Sequence, residues 1–445
     1  MALILLTGII LLALGLMFGI GPFLALGYFL LAVHLLNRLW LERVIKRLRF
    51  NRQHESHAFL GDIVKVTLTV ENRSNLPLPW LTIEEQLPTQ IAPEGRATWL
   101  ISLSQNEKRD LSYLLRAIKR GRYRLGPLEG SAGTIFPEGQ DIAGNALRWS
   151  MTSFLTVYPL IVPLEKLGLP SRLPTGNLKA NRSLLPDASR FAGVRDYVAG
   201  DDPRHINWNS SARLGHLQTK QYDRTQLLPL AIFLELGRSS YDRSSSWLAS
   251  ECAVSVAASL ANYGVRLGQS VGLYTNGHDA YIDNPDGLSK SELMVRLRQQ
   301  NKKWYADKTA AEIGWANPLN PNEPSSHTDI KIAPRTGNGQ LSAILETLAR
   351  IQLWETPVPL YNLVNRWTGD LTWGATVAII APKPSAELIA AMLRLRKSGY
   401  AVFSVFSEEA HGPNRLVGYS AALRGLGFVS FDATNPEELN VHALA

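Results

Sequence analysis

The sequence predicts a multi-domain protein in which an N-terminal transmembrane helical hairpin precedes an antiparallel β-sandwich and a doubly wound α/β domain. Three observations favour this fold class. No Lys, Arg, Asp or Glu occurs before Arg38. The stretch 57–159 contains short strand-like segments separated by turn residues. From residue 228 onward, continuous apolar segments alternate with helical ones, which is typical of a mostly parallel sheet.

The uncharged N-terminal stretch is too long for one membrane helix. A helix of that length would extend about 60 Å, roughly twice the hydrocarbon thickness of a bilayer. Gly19, Gly21 and Pro22 supply a break, so we expect two membrane helices at 3–19 and 22–39. The alternative is a signal peptide followed by one span, although neither a positive first region nor a cleavage site of small residues is visible.

A basic flank follows the second of these helices. With one acid, Glu42, it holds five of the eight net positive charges of the chain. By the positive-inside rule the flank is cytoplasmic, which predicts a multi-pass inner-membrane protein with cytoplasmic soluble domains. The flank would meet anionic lipid headgroups, and we expect no nucleic-acid partner. Its basic residues are Arg38, Arg43, Lys46, Arg47, Arg49 and Arg52.

The segment 41–52 is predicted to continue the second helix as a basic amphipathic stretch. Beyond it, apolar and polar residues alternate from Val64 to Val70, as in a strand with one buried face. None of the loops of this sandwich has a chemical constellation, so we interpret it as a scaffold. Further strands are predicted at 80–86, 97–103, 109–117, 122–128 and 153–158.

The α/β region opens with the apolar run 228–236, which suits a buried parallel strand. A helix rich in small residues follows and contains Cys252, which we interpret as a buried helix residue and not as a catalytic thiol. The remaining predictions are strands at 271–275, 375–381, 400–406 and 424–431, helices at 288–299, 340–351, 360–367 and 386–399, and a polar insertion at 300–338.

Chemical motifs are sparse. The first α/β strand ends in a loop with Glu235, Gly237 and Ser239, where a metal-binding von Willebrand factor type A domain has Asp-x-Ser-x-Ser. Glu is longer than Asp and Gly has no side-chain oxygen, so we expect no metal. No glycine-rich phosphate loop and no HExxH motif is present, and we expect no cofactor.

The stretch 193–223 is the densest cluster of charged and aromatic residues. One hypothesis is a hydrolase that uses Asp201, Asp202 and His205. Another is a phosphate or nucleic-acid binder, with a cluster formed by Arg195, Arg204, Arg213 and Lys220.

A structural clamp explains the same residues without a substrate. In this hypothesis Asp201 or Asp202 caps a helix that begins at Pro203. Asp196 and Asp201 would receive Arg204 or Arg213. Arg204, Trp208 and Ser211 would then share one helix face, with Trp208 as a buried packing anchor.

The spacing G-x-R-x-Y-x-x-G-D-x-x-R-x-I-x-W-x-x-S-A-R resembles the signature of the bacterial domain-of-unknown-function family 58. The family commonly has Asp-Pro-Phe-Gly where this chain reads GTIFPEG at 133–139, and Asp where it has Glu235. The positions that match are Gly193, Arg195, Tyr197, Gly200, Asp201, Arg204, Ile206, Trp208, Ser211, Ala212 and Arg213.

The resemblance implies a membrane-anchored β domain joined to a von Willebrand factor A-like domain. It implies a protein partner, a MoxR-type AAA ATPase first of all, and no enzymatic activity of its own. We therefore predict a membrane-anchored interaction or assembly factor. The predicted domains are 1–40 (hairpin), 41–56 (basic juxtamembrane segment), 57–159 (β-sandwich), 160–227 (connector with the signature) and 228–445 (A-like α/β domain).

Overall fold

The protein is described here from a computed structural model. It forms two compact units, of which the first includes 2–159 and the second 160–278 together with 329–433. The predicted helix 288–299, most of the insertion 300–338 and the segment 134–139 lie outside the described residues. The structure describes residues 2–88, 91–94, 97–133, 147–167, 169–170, 191–222, 228–279, 329–355, 357–408 and 418–433.

Two apolar helices open the first unit, α1 (Ala2–Phe18) and α2 (Gly21–Arg47). They pack against each other: a Cβ on Gly27 would lie 2.7 Å from Leu12, so only glycine allows this approach. Of the described helices, α2 is long and apolar enough to cross a membrane, whereas the apolar part of α1, Leu5–Phe18, is shorter. Helix α2 is thus a possible membrane anchor or signal sequence by length and composition.

Helix α2 runs directly into the β structure. The predicted helical continuation over 41–52 is wrong beyond Arg47, because β1 (Leu48–Gln53) begins there. Leu41 and Val44 are buried in the same apolar core as the strands. The segment predicted as a juxtamembrane linker is therefore part of the β core.

The described part of the first unit contains three sheets. Their orders are β1-β3-β7-β5, β10-β9-β4-β6 and β2-β11-β8, and all pairs are antiparallel except β11 with β2. The strands after β1 are β2 (His57–Phe59), β3 (Ile63–Asn72), β4 (Leu78–Glu85), β5 (Ile91–Glu94), β6 (Thr98–Leu103), β7 (Lys108–Ala117), β8 (Gly121–Leu125), β9 (Leu128–Gly133), β10 (Leu147–Trp149) and β11 (Ser153–Tyr158).

The two four-stranded sheets share one apolar core. On β3, Val66, Leu68 and Val70 are fully buried, which confirms the predicted alternation. Leu81 and Ile83 of β4 lie in the same cluster as Leu68 and Val70. Facing sheets are thus held together by alternate side chains of each strand.

Arg52 lies inside this unit, not on the membrane flank. Its side chain is 1% exposed and forms an ion pair with Glu85, which is 0% exposed. The Arg52 Nη1 donates to the carbonyl of Leu125 and to Ser153 Oγ, each at 3.0 Å. The assignment of Arg52 to the lipid-facing flank is wrong because its position on β1 turns it toward the interior.

The carboxylate of Glu85 receives a second donor, the hydroxyl of Tyr113 on β7. Burial raises the pKa of Glu85, while the charge of Arg52 and the Tyr113 hydrogen bond oppose that rise. Burial also raises the pKa of Tyr113 well above its usual range. Tyr113 is therefore a neutral donor, and the charge of Glu85 is balanced by Arg52.

The second unit is an α/β structure. Its helices are α3 (Trp208–Leu214), α4 (Ser246–Arg266), α5 (Asn338–Arg350), α6 (Leu360–Trp367), α7 (Ala386–Lys397) and α8 (Gly418–Gly425). Its strands are β12 (Phe191–Asp196), β13 (Gln218–Tyr222), β14 (Leu230–Leu234), β15 (Val271–Thr275), β16 (His278–Asp279), β17 (Ile330–Arg335), β18 (Ile351–Gln352), β19 (Thr376–Ala381), β20 (Ala401–Phe406) and β21 (Val429–Asp432).

A six-stranded sheet with the order β17-β15-β14-β19-β20-β21 forms the centre of this unit. Only β17 is antiparallel to its neighbour. Phe233 packs with α6 and α7 on one face, and α4 approaches Leu230 and Val271 on the other. The predicted strand 424–431 is wrong in its first half, because α8 extends to Gly425.

Helix α4 is buried along most of its length. The segment 160–170, predicted as connector, contributes to this burial, and the amide of Val162 donates to Ser259 Oγ at 3.1 Å. Cys252 is fully buried on α4, as predicted, and burial raises the pKa of its thiol to about 12. A thiol in this state is inert as a nucleophile.

The Arg52–Glu85 pair yields a double-mutant prediction. Arg52→Met alone should lower the free energy of unfolding by about 3–5 kcal/mol, because it leaves the buried carboxylate without a cation. Glu85→Leu should cost a similar amount, and the double variant should lose clearly less than the two costs added together. Urea denaturation of the full chain in detergent measures all three.

The matched control is the half-exposed pair Arg116–Glu94 of the same unit. Arg116→Met should change the free energy of unfolding by less than about 1 kcal/mol. Strictly additive effects of Arg52→Met and Glu85→Leu would contradict the coupling.

Candidate functional site

Two regions of the second unit contain the residues singled out from the sequence. The first is the edge of the six-stranded sheet where the parallel strands end, which is the usual place for a ligand site in open α/β sheets. The second is the excursion between β12 and β13, which form a separate two-stranded sheet.

Glu235 directly follows β14 at this edge and is 6% exposed. Its Oε1 accepts from Asn276 Nδ2 at 2.6 Å and from the amide of Gly237 at 2.9 Å. Its Oε2 accepts from the amide of Leu360 at 3.3 Å. Burial raises the pKa of Glu235, and these donors act in the opposite direction.

Gly237 is required by this packing, since a Cβ there would lie 2.6 Å from Glu235 Oε1 and 2.7 Å from Pro357. Ser239 is exposed, whereas its neighbour Ser240 hydrogen-bonds the Glu235 carboxylate. The three residues predicted as a degenerate metal loop therefore do not converge. Only Glu235 points into the fold.

The residues present do not fit a divalent cation at this position. Both carboxylate oxygens of Glu235 accept from N–H groups, and an N–H donor placed there repels a cation. Within the described residues, no group of three His, Cys, Asp or Glu side chains has the arrangement of a metal site. Asn276 and the two backbone amides provide the favourable electrostatic contact with the Glu235 carboxylate that a metal ion would otherwise provide.

Other polar residues at this edge were missed from the sequence. Lys383 follows β19 and pairs with Asp242 at 2.8 Å. Glu408 follows β20, and its Oε1 accepts from the amide of Asp242 at 2.7 Å and from Ser245 Oγ at 3.0 Å. Each of Asn276, Lys383 and Glu408 comes shortly after a buried strand, and that position is the signal that would have found them.

The signature excursion is closed by an ion pair at its base. Arg195 on β12 lies 2.6 Å from Asp201 Oδ1, and Asp201 Oδ2 accepts from the amide of Val198 at 3.0 Å. The hydrogen bond from Arg195 holds the pKa of Asp201 below its usual range. The predicted partners Arg204 and Arg213 do not take this place; Asp196 instead contacts Gln218 and His216.

Asp202 confirms the predicted helix cap, because its carboxylate accepts from the amide of Arg204 at 2.9 Å in front of a 3₁₀ turn, Pro203–His205. That turn ends before α3 begins, and Asn207 caps α3 separately. Arg204 and Trp208 therefore lie on different helices. The predicted single helix face is wrong, because an i, i+4 spacing places residues together only within one continuous helix.

Ser211 and Ile206 are the inward residues of the signature. Ser211 Oγ donates to the carbonyl of Asn207 at 2.9 Å and accepts from the amide of Gln218 at 2.8 Å, so it ties α3 to β13. Ile206 is buried and forms a bridge to Thr219.

The remaining small and aromatic signature residues shape the backbone. Gly200 and Gly215 have φ angles of 109° and 75°, in the left-handed region that favours glycine. Gly193 adjoins a register shift on β12, and the Tyr197 hydroxyl donates to the carbonyl of Asp201 at 3.4 Å.

Trp208 is 67% exposed, so its prediction as a buried anchor is wrong. It is the first residue of α3, and the inward face of that short helix is taken by Ser211. Ala212 and Arg213 are exposed beside it, as is Arg204 on the turn before it. Within the described part of the chain, no ion pair engages Arg204 or Arg213.

The residues of the two chemical hypotheses are engaged separately. The carboxylate of Asp201 is held by Arg195 and that of Asp202 by the amide of Arg204. Within the four-residue basic cluster, Arg195 is paired with Asp201 and lies on β12, whereas Arg213 lies on α3. The two carboxylates are thus engaged one by one, and Arg195, Arg213 and Lys220 lie on three different elements, β12, α3 and β13.

The fold and this loop define a multi-domain protein with an apolar N-terminal helix and several antiparallel sheets. The family model described as "Protein of unknown function DUF58" matches residues 193–351, which begin at the signature. This match confirms, for residues 193–351, the resemblance seen in the sequence.

A curated relative is similar to half of the chain. "Uncharacterized protein YeaD" of Bacillus subtilis (strain 168) is 26% identical over 226 residues, which are 50% of this chain and 54% of the relative. The chain thus spans about half the length of the curated relative it matches.

Two solved structures resemble about a quarter of the chain. Native α-2-macroglobulin of E. coli matches 26% of this chain and 7% of its own at 14% identity, with a TM-score of 0.22. The CARDB domain of PF1109 from Pyrococcus furiosus matches 25% and 91% at 14% identity, with a TM-score of 0.18.

Substitution of Glu235 should show how much its buried hydrogen bonds contribute to the stability of the fold. Glu235→Ala removes the acceptor of one N–H of the Asn276 side chain and of two backbone amides, so we expect it to lower the free energy of unfolding by about 3 kcal/mol or more. Ser239→Ala, in the same loop but exposed, should change it by less than about 0.5 kcal/mol. Added Mg²⁺ or Mn²⁺ should leave the Tm of the parent unchanged, and a rise in Tm would contradict the internal closure of this site.

Two substitutions on α3 should separate its inner and outer faces. Trp208→Ala should change the free energy of unfolding by less than about 0.5 kcal/mol, because its side chain is exposed. Ser211→Ala should cost about 1–3 kcal/mol, because it leaves a buried amide unsatisfied. Thermal unfolding of the full chain in detergent compares them, and a reversed order would contradict the observed orientation of α3.

Proposed function

We propose that this chain is a membrane-anchored protein-binding factor without catalytic activity of its own, and that its partner docks on the outward surface of the signature loop. The single observation that supports this most strongly is the exposure of Trp208 between Arg204 and Arg213, two basic residues that form no ion pair with any described residue. Trp and Arg are the residue types that most often dominate the energetics of protein interfaces.

Further apolar side chains of the same excursion are exposed. An apolar area of this kind, rimmed by charge, is typical of a protein-interaction site. We name the set with Arg204, Trp208 and Arg213 the signature surface. Its further exposed members are Val194, Val198, Leu214 and Leu217.

The partner we propose is a MoxR-type AAA ATPase. Support for that class comes from the family resemblance, and the charge of Arg204 and Arg213 requires an acidic patch on whichever protein docks there. The α/β unit is proposed to be von Willebrand factor A-like on its strand order, and its role is to present this loop.

The anchor we propose is a transmembrane hairpin of α1 and α2, with the β unit as a sandwich on the cytoplasmic side of the inner membrane. The close contacts of Leu12 with Gly27 and of Leu24 with Gly15 support the hairpin, since small residues let membrane helices approach closely. The basic residues that follow α2's apolar part support the orientation.

Site-specific photo-crosslinking in cells tests the partner surface. A photoreactive amino acid at position 208 should capture an AAA ATPase that mass spectrometry identifies. The combined change Arg204→Gln/Arg213→Gln, made with the crosslinker still at 208, should reduce that capture at least tenfold, because both charges lie on the docking surface.

The matched control is position 373, because Trp373 is an equally exposed tryptophan of the same unit, at 66%. A crosslinker there should not capture the ATPase. Capture of no protein at 208, or of the same proteins at both positions, would contradict the proposal. Capture of one different protein at position 208 would support the signature surface as a docking site but would contradict an AAA ATPase as the partner.

A further inference from the structure

Helix α2 has one continuous exposed stripe that changes character along its length. Leu35, Leu36 and Leu39 form its apolar part and are 57%, 66% and 47% exposed. Arg43 and Arg47 continue the same side of the helix, since positions three, four and seven or eight apart lie above one another. The change from apolar to basic between Leu39 and Arg43 marks the level at which a hydrocarbon environment ends.

At the level of this change, the opposite side of α2 packs against the β unit. Leu41, Val44 and Leu48 are buried in the β core, and Trp40 Nε1 donates to the carbonyl of Pro77 at 2.9 Å. No free linker therefore separates the apolar part of α2 from the β unit. The β unit begins where the exposed stripe turns basic.

The helix rise gives the depth of these charges. At 1.5 Å per residue, the Cα atoms of Arg43 and Arg47 lie about 6 Å and about 12 Å beyond Leu39 along the axis. The headgroup layer of one leaflet is roughly 5–8 Å thick. The long side chains of Arg43, Lys46 and Arg47 therefore reach the level of lipid phosphates, on the side that the β unit leaves open.

The charges at this level are poorly neutralised by the protein. Glu42 is shared by Arg38 at 3.2 Å and Lys46 at 3.9 Å. Arg43 and Arg47 form no ion pair with any residue that the structure describes.

The first strand continues the basic surface. Arg49 on β1 is exposed and lies opposite Glu71, which Arg73 contacts at 2.9 Å. The exposed guanidinium groups of Arg43 and Arg47 are available to a phosphate or carboxylate acceptor outside the described residues.

We propose that Arg43, Lys46, Arg47 and Arg49, here called the basic collar, bind the phosphates of anionic lipid headgroups and fix the β unit against the bilayer. This rests on the membrane anchoring proposed above. Guanidinium groups bind phosphate through paired hydrogen bonds, and a basic residue at a membrane surface strengthens binding about fivefold. The collar thus selects anionic over zwitterionic lipid.

The test reconstitutes the full chain into bilayers of phosphatidylcholine mixed with phosphatidylglycerol and measures which lipid remains bound after gentle detergent extraction. The parent should retain phosphatidylglycerol in excess over its share of the bilayer. Arg43→Gln/Arg47→Gln should lower that excess at least about fivefold. High salt should lower the excess of the parent in the same direction.

Lys65→Gln/Arg116→Gln is the charge-matched control, because these exposed residues lie at the end of β3 and β7 away from α2. It should retain the parental excess. Equal excess in all three proteins, or equal loss in both variants, would overturn the collar. Nucleic acid bound by the parent in place of lipid would also overturn it.

Alkaline carbonate extraction of the same membranes distinguishes the two proposals. If the parent is washed out, the proposed anchoring fails. If the parent and the collar variant both resist extraction and keep the same lipid excess, the anchoring stands and the collar proposal fails. Resistance of both, with the excess lost only in the collar variant, supports the collar.

Discussion

The buried Arg52–Glu85 pair is the interaction on which the β unit depends, because it joins all three of its sheets. Arg52 lies on β1 and Glu85 ends β4, so the ion pair links the two four-stranded sheets. The hydrogen bonds from Arg52 to Leu125 and Ser153 connect the pair to the third sheet. Two desolvated charges are costly unless both are paired and hydrogen-bonded, so the strands must meet in this one arrangement.

The same principle applies to two buried carboxylates of the second unit, Glu235 and Glu408, which accept hydrogen bonds from the fold itself. Glu235 accepts hydrogen bonds from Asn276 and two backbone amides. Glu408 accepts hydrogen bonds from Asp242 and Ser245, which precede α4. The sheet edge that hosts ligands in other α/β proteins is therefore closed by internal donors here. The signature loop differs, since its inner residues hold it together and its aromatic and basic residues face outward.

Much of the fold could be predicted from the sequence because periodicity reports directly on burial. Alternation identified β3, continuous apolar runs identified β14 and β19, and Gly and Pro placed the break between α1 and α2. The limits came from residues whose environment depends on distant strands. Arg52 looked like its basic neighbours, yet its partners lie 33, 73 and 101 residues away along the chain, at Glu85, Leu125 and Ser153.

In the candidate site, too, local features could be predicted from the sequence, whereas features that depend on distant residues could not. The cap by Asp202 was predictable, because an Asp–Pro helix start is a local feature. Trp208 was misplaced, because one continuous helix was assumed where the chain makes a 3₁₀ turn and then a separate helix. Asn276 follows a buried strand, which marks its position, but its contact with Glu235 depends on the parallel pairing of β14 and β15.

The unbroken passage from α2 into β1 has a mechanical consequence. One residue after the helix ends, the chain is already hydrogen-bonded to β3 along a six-residue ladder, from Leu48–Asn72 to Gln53–Thr67. No hinge can absorb a rotation or a pull on the helix. Force on α2 is therefore transmitted directly to the β1–β3 ladder and to Arg52, so that the helix and the β unit move together.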